Sequence, residues 1–429
     1  MIFRALIGLA FFCFVSWLMS SDRRRFPTRV VLCGLGMQLA LALFLLRTDI
    51  GVKIFQGISD KVTKLISMQS EGTKLVFGNL ADPNFAEGGW GYAFAFASSG
   101  LTVIIFFSAL MAVLYHLGVM QLVIWCLAKV MAVLLGTSGA ESMAMAANVF
   151  VGQTEAPLVV KPYISKFTSS ELNAMMTGGF ATIAGSVLAV YMGILGPEMG
   201  PHLLTASVLS APAAFLIAKI MLPESEEPST GGKVELKVER TAGNVIEAAA
   251  NGTSDGLKLW LNVVAMLIAF MGLVALVNWP LGSLGEWIGE RALISGFDGN
   301  LSLGRLFGWI MAPVSWMMGV EGWHDCQIFG RLLGTKVAVN EFIAFNDLQL
   351  VMPGSGGDLV FESARSAKMA AYALCGFANF ASIGIQIGGI APLAPERKPE
   401  ISRLALRAMI GGAFASWMTA TVAGMFLWP

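Results

Sequence analysis

Apolar runs of roughly membrane-crossing length alternate along this chain with short polar joints, and some of the runs are interrupted in the middle. A helix needs about 20 apolar residues to cross a bilayer. On that measure the pattern predicts plain spans near 2–19, 31–46, 98–118, 203–222, 256–278 and 404–427. Two further spans, near 171–194 and 369–390, carry TGGFATIAGS and CGFANFASIG at their centres and are expected to be broken there. The stretches 136–166 and 319–345 are also apolar, but Gly, Ser, Glu and Asn cut them into halves too short to cross. Irregular backbone at membrane depth is tolerated where it is buried in protein or lines a cavity, so each reads as a re-entrant hairpin.

The remaining segments are placed by the same pattern. Within 52–68, Ile54, Phe55, Ile58, Val62, Leu65 and Ile66 form one apolar stripe at helical spacing, as in a helix lying in the membrane interface or an amphipathic helix packed on the protein. Residues 120–135 are short and contain Lys129, and 280–320 contain Trp287, Trp309 and Trp316, so both read as interfacial. Residues 72–97 and 346–367 read as external loops and 223–255 as a polar linker. The order hairpin, broken span, plain span then occurs twice, with the hairpins entering from opposite faces: an inverted repeat. The expected division is 1–135 (first scaffold), 136–222 (first repeat), 223–255 (cytoplasmic linker), 256–320 (second scaffold) and 321–429 (second repeat).

Composition agrees with this all-α polytopic membrane fold. The chain is 56% hydrophobic and 13% charged, against about 25% charged in a soluble domain, and its mean hydropathy is +0.70. Net charge is zero, which gives no basic field for nucleic acid. The five cysteines are scattered without a CxxC, and the three histidines form no HExxH, so neither a disulfide framework nor metal catalysis is indicated. Arg23, Arg24 and Arg25 follow the first apolar run, marking it as a retained span with its N-terminus outside rather than a cleaved leader. Both termini are thus expected to be periplasmic in a bacterial inner membrane. Arg331, Lys336, Arg365 and Lys368 fall on the outer side and oppose the charge rule.

Candidate chemistry sits in the interruptions. Glu155, in GQTEAP, and Glu341, in NEF, are carboxylates in apolar surroundings, where an ionised group costs about 2.5–3.5 kcal/mol unless it faces a partner or a wet cavity. Gln153 and Thr154 stand beside the first; Asn379, Ser382 and Phe377 belong to the second half. Amide, hydroxyl, carboxylate and an aromatic face suit a neutral, hydroxyl-rich ligand with a flat polar ring. No Arg or Lys cluster in these motifs suits a phosphate. Asn148 and Thr182 offer hard oxygens for a sodium ion, and Glu155 or Glu341 could instead carry a proton. Glu141 and Asn173 are read as hairpin cap and interface residues. His324-Asp325 has no nucleophile motif beside it to make it catalytic.

The segments GQTEAPLVVKPYI, GTKVAVNEFIAF and ALCGFANFASIGIQIGGIAPLAPER closely resemble signatures of the concentrative nucleoside transporter family, and the resemblance runs from about residue 2 to the C-terminus. It implies eight spans, two opposed hairpins and interfacial helices, assembled as a homotrimer whose protomers each work by an elevator-like movement. It implies base contacts from Gln153, Thr154, Glu155 and Val187, with Phe377 against the base, and ribose contacts from Glu341, Asn379 and Ser382. It implies a sodium site made by Asn148, Val151, Thr182 and Ile183, and no cofactor. Thr182 stands where close relatives carry Ser, and Phe345 where Tyr is common. The expected function is sodium-driven nucleoside symport, with proton coupling as the alternative ion. An uncoupled channel or an intramembrane enzyme are the readings of other classes, and the latter lacks a nucleophile–base pair.

Overall fold

A computed structural model describes residues 2–77, 99–231, 242–291, 299–357 and 359–427. It is all-helical, with no strand among the described residues. The first half runs α1 (Ile2–Leu18), α2 (Thr28–Arg47), α3 (Asp49–Phe77), α4 (Ser99–His116), α5 (Val119–Leu135), α6 (Gly139–Asn148), the single turns α7 (Ala156–Val159) and α8 (Lys161–Ile164), α9 (Ser169–Ala181), α10 (Gly185–Leu195) and α11 (Gly200–Met221). The second runs α12 (Val245–Glu290), α13 (Leu303–Met317), α14 (Trp323–Ala338), α15 (Glu341–Val351), α16 (Ala364–Leu374), α17 (Phe380–Ile390) and α18 (Lys398–Phe426). Among the described residues, four helical segments are long and apolar enough to cross a membrane, or five if the bent pair α4–α5 counts as one. That pair turns by 77° at Gly118, whose φ of +82° is open to glycine at little steric cost.

Both hairpins and both broken helices form where the interruptions predicted them. Hairpin 1 is α6, an irregular tip at 149–155, and α7–α8; hairpin 2 is α14 and α15 joined at 339–340. The first broken span parts at 182–184 and the second at 375–379. These elements, with α11 and α18, make the core: nearly all of α6, α9, α11, α16 and the second half of α18 is buried. In contrast α1, α2, α3 and α12 expose Phe3, Leu32, Ile50, Ile54, Ile268 and Leu276, as surfaces meant for lipid do. The stripe on α3 is split: Ile54 and Ile58 are exposed, while Val62, Leu65 and Ile66 are half-buried against the protein.

Three boundaries differ from expectation. The polar stretch ending at 255 is helical from Val245, because Asn244 caps the Glu247 N–H at 2.9 Å and the helix then runs on unbroken into the apolar segment. The expected interfacial region from 280 onward begins inside that same helix, which continues to Glu290. The expected loop 346–367 is helical at both ends, up to Val351 and again from Ala364, where Ser363 caps the Ser366 N–H. Most of the expected external loop 72–97, and residues 232–241 of the linker, lie outside the described residues.

The two hairpins are fastened at their bases by matching devices. Hairpin 1 begins with a capping box in which Ser138 and Glu141 satisfy each other's backbone N–H, and α9 begins with another from Thr168 and Glu171. Ser138 Oγ donates to Glu171, and Lys219, near the end of α11, reaches Glu141 at 2.7 Å and Glu224 at 3.3 Å. At the base of hairpin 2, Asp325 accepts the N–H groups of Glu362 and Ser363 at 2.9 and 3.1 Å. Arg365, buried at the start of α16, donates to Gly424 O near the end of α18 at 2.7 Å and pairs with Glu321 at 3.2 Å. Lys336, buried in hairpin 2, donates to Ala373 O of α16 at 2.8 Å, so Lys336 and Arg365, two of the four exceptions to the charge rule, are internal tethers.

Candidate functional site

The two broken spans cross at their breaks. Gly376 has φ +152°, and a Cβ there would meet the carbonyl oxygens of Phe180 and Ala181 at 2.9 Å, so only glycine lets the second break lie on the end of α9. The break in the first span also packs on the tip of hairpin 1. Gly185 N–H donates to Phe150 O at 2.9 Å, and Gly152 faces the Ala184 side chain.

This crossing gathers the expected sodium residues. Asn148 ends α6 fully buried; its Nδ2 donates to Met175 O at 3.2 Å, and its Oδ1 has no partner. Asn148 Nδ2 lies over Gly178, whose carbonyl accepts from Thr182 Oγ1 at 2.9 Å. Val151 and Ile183 fall in the two adjoining breaks, both buried. The cluster is one of amide, hydroxyl and non-helical backbone, the donor set of a hard monovalent cation. Among the described residues no group of three His, Cys, Asp or Glu side chains could hold a metal ion otherwise.

The tip of hairpin 1 meets the other repeat. Thr154 packs directly on Gly389 of α17, and Gln153 and Gln386 both press on Gly179. Gln386 donates to Met176 O at 2.9 Å, leaving its Oε1, like that of Gln153, buried and unpaired. Glu155 is exposed, and its Oε2 accepts the Gly152 N–H at 3.0 Å, which holds the carboxylate at the rim of the tip. Val187 lies buried in the first turn of α10.

The second cluster is crossed the opposite way, joining hairpin 2 to the first repeat. Glu341, at the start of α15, accepts from Tyr191 Oη of α10 at 3.1 Å and from Asn379 Nδ2 at 2.8 Å. Asn379 also N-caps α17, accepting the Ser382 N–H at 2.8 Å, so the residue that starts the half-helix also fixes the carboxylate. Phe377 is half-buried in the break just before it. Among the described residues no hydrogen bond joins Glu155 to the Glu341 cluster; the two are held by separate scaffolds.

Two residues of these clusters, Tyr191 and Gln386, escaped the sequence reading. Tyr191 is four residues beyond Val187, and Gln386 four beyond Ser382, so each shares a helical face with an expected site residue; that spacing was the available signal. Phe345 stacks on Tyr191 with ring centroids 4.1 Å apart and packs as the wall behind it. Lys336, read only as a misplaced charge, is fully buried beside this cluster's scaffold. His324 bonds to Val360 O at 3.1 Å and serves the loop at the base of hairpin 2 with Asp325.

Opposed hairpins, broken helices crossing at mid-length and a buried polar seam between inverted halves define a membrane carrier of the secondary-transporter class. Family models described as Na+ dependent nucleoside transporter C-terminus and N-terminus match residues 202–424 and 7–80, and one described as nucleoside recognition matches 98–198. The chain belongs to the Na+ dependent nucleoside transporter family, whose members are transporters and not enzymes. It is 40% identical to nucleoside permease NupC of Helicobacter pylori over 100% of this chain and 99% of that one. It is 38% identical to sodium/nucleoside cotransporter 1 of Mus musculus over 98% of this chain, and spans 63% of that longer protein. Its structure matches CNTnw in an inward-facing substrate-bound state with TM-score 0.89 and 37% identity, covering 99% of this chain and 98% of that one. A CNTnw variant in an outward-facing state matches with TM-score 0.90 and 38% identity, covering 99% and 97%.

Proposed function

We propose that this chain is a symporter that imports nucleosides across the bacterial inner membrane, driven by sodium. The observation that carries the reading is the pair of crossed clusters. Glu341 is held by Tyr191 and Asn379 as a fixed hydroxyl-binding carboxylate, and the facing hairpin tip presents Gln153, Thr154 and Glu155. In this reading Glu341, Asn379 and Ser382 take the ribose. Gln153, Thr154, Glu155 and Val187 take the base, with Phe377 against its face. Asn148, Thr182 and the carbonyls of Val151 and Ile183 take the sodium ion. Because the ion residues sit in the break that supports the hairpin tip, binding the ion would fix the tip before the base docks. Coupling then follows from shared backbone and not from contact between ion and nucleoside.

The protomer works as an elevator in which the hairpins and broken spans move together, within a homotrimer. The relatives' inward-facing and outward-facing structures support a two-state carrier. Both termini face the periplasm. Uptake of labelled uridine into proteoliposomes tests the function: accumulation above equilibrium is expected with an inward sodium gradient and not when choline replaces sodium. Accumulation driven by a pH gradient in choline would assign the coupling to protons. No accumulation under either gradient would reject a coupled carrier.

A further inference from the structure

A side chain from each hairpin reaches a backbone carbonyl of the half-helix that follows, and the two side chains differ in charge. In the first repeat, Asn148 at the end of α6 donates to Met175 O of α9 at 3.2 Å and keeps its own oxygen unpaired. In the second, Lys336 near the end of α14 donates from Nζ to Ala373 O of α16 at 2.8 Å and to Ser416 Oγ of α18 at 2.9 Å. Ala373 is the penultimate residue of its half-helix, so its carbonyl belongs to the negative, partner-seeking end that opens into the break at 375–379. Lys336 is 0% exposed, and among the described residues no carboxylate lies within 4.0 Å of its ammonium. A buried ammonium is costly; here it is held by one carbonyl and one hydroxyl at a helix C-terminus, the same oxygen types offered to an ion in the first repeat, with the Glu341 carboxylate near enough to attract it though not in contact.

We infer that Lys336 is a resident cation of the second half-site, its ammonium standing in the place that an external sodium ion takes in the first. The inference rests on the sodium reading given above for the first half-site. Its consequence is an asymmetric pair: one break is ordered only when an ion arrives, and the other is permanently ordered by a tethered charge. The permanent one holds the segment 375–379 that delivers Asn379 to Glu341, so Lys336 is a positioning residue for the hydroxyl-binding half of the site. It also leaves the second break no demand for an ion of its own.

The test uses purified full-length protein and two readouts: uridine affinity by calorimetry, and thermal stability titrated with NaCl at constant ionic strength in choline chloride, without nucleoside. For the intact protein the stability curve is expected to follow a single ion. Lys336→Met, which keeps the stem and removes the charge, is expected to weaken uridine binding at least tenfold. Lys336→Asn, which gives the second break the same amide as the first, is expected to regain affinity as sodium rises, its stability curve steepening from a Hill coefficient of about 1 towards about 2. Ser416→Ala keeps the ammonium but removes one oxygen, and is expected to weaken uridine binding about threefold with the single-ion curve unchanged. Wild-type affinity in Lys336→Met, or equal weakening in Lys336→Met and Lys336→Asn with an unchanged sodium curve, would overturn the inference. If the Lys336 variants do not fold, unaltered affinity in Ser416→Ala overturns it instead. An intact protein whose stability ignores sodium would reject the sodium reading separately, and a tenfold loss in Lys336→Met would still support the positioning role.

Discussion

The two hairpins are alike at their bases and unlike at their tips. Each base is fastened by a buried cation linking the hairpin's repeat to the end of its last span: Lys219 with Glu141, and Arg365 with Gly424 O and Glu321. At the tips the polar groups are treated in opposite ways. Around hairpin 1, oxygens of Asn148, Gln153 and Gln386 are buried without partners. Around hairpin 2, Glu341, Asn379, Tyr191 and Lys336 all hold hydrogen bonds. Unpaired buried polar atoms are expensive and persist where function uses them. Under the proposed function, the first tip is the half that ligands would complete, and the second is the half whose polar groups are already paired.

The largest expected effect tests the likeness of the bases. Lys219→Met leaves Glu141 buried without its cation and is expected to cost about 3–5 kcal/mol of stability. Arg365→Met should cost a similar amount, since it strips the end of α18 of its partner. Thermal unfolding of both variants checks this; a variant as stable as the parent would mean that the two bases are not equivalent. Next come the carboxylates. Glu341→Gln leaves Tyr191 and Asn379 facing a neutral amide, and losing a buried charged hydrogen-bond partner costs about 2–5 kcal/mol. Uridine uptake should fall at least thirty-fold, with the fold retained. Glu155→Gln should fall less, because Glu155 is exposed and bonded only to Gly152 N–H. Equal losses would erase the distinction between a preset half and an open one. Tyr191→Phe then removes a single bond to a charged group, about 1.5–3 kcal/mol. Uptake at low uridine should drop about tenfold or more with the sodium dependence unchanged; a shift in sodium affinity would show that the two tips are not independent.

How much of this could be read along the chain follows from what is local. Helix breaks are local: the extended backbone at Thr182, the positive φ of Gly376 and the cap at Asn379 are all written in short runs of Gly, Thr and Asn, and they lay where the runs placed them. The resemblance to a transporter family rested on the two hairpin motifs and the run that holds Gly376 and Asn379, and it agrees with the family assignment. Partners across the fold are not local. Lys336 and Arg365 looked like charges on the wrong side of the membrane because a sequence gives no sign that a cation ends on a carbonyl 37 or 59 residues away. Tyr191 looked like an ordinary residue of an apolar helix until hairpin 2 was seen against it. The polar segment 245–255 looked like linker because polarity was weighed and the Asn244 cap was not.

The smallest expected effect bears on the base of hairpin 2, where His324-Asp325 pairs an imidazole with a carboxylate away from both tips. Asp325 spends both oxygens on the backbone N–H groups of Glu362 and Ser363, and His324 meets Val360 O; all three contacts hold the loop that leads into α16. Removing the histidine takes away one neutral hydrogen bond at a half-buried site, a loss of about 0.5–1.5 kcal/mol, and leaves Asp325 and Arg365 in place. His324→Ala should therefore transport uridine at close to the parent rate, to within about twofold at acid and neutral pH alike, since the imidazole meets a loop carbonyl at the base of the hairpin and neither tip. A collapse of uptake confined to acid pH would place this base on the ion path, and the division between fastened bases and working tips would have to be redrawn.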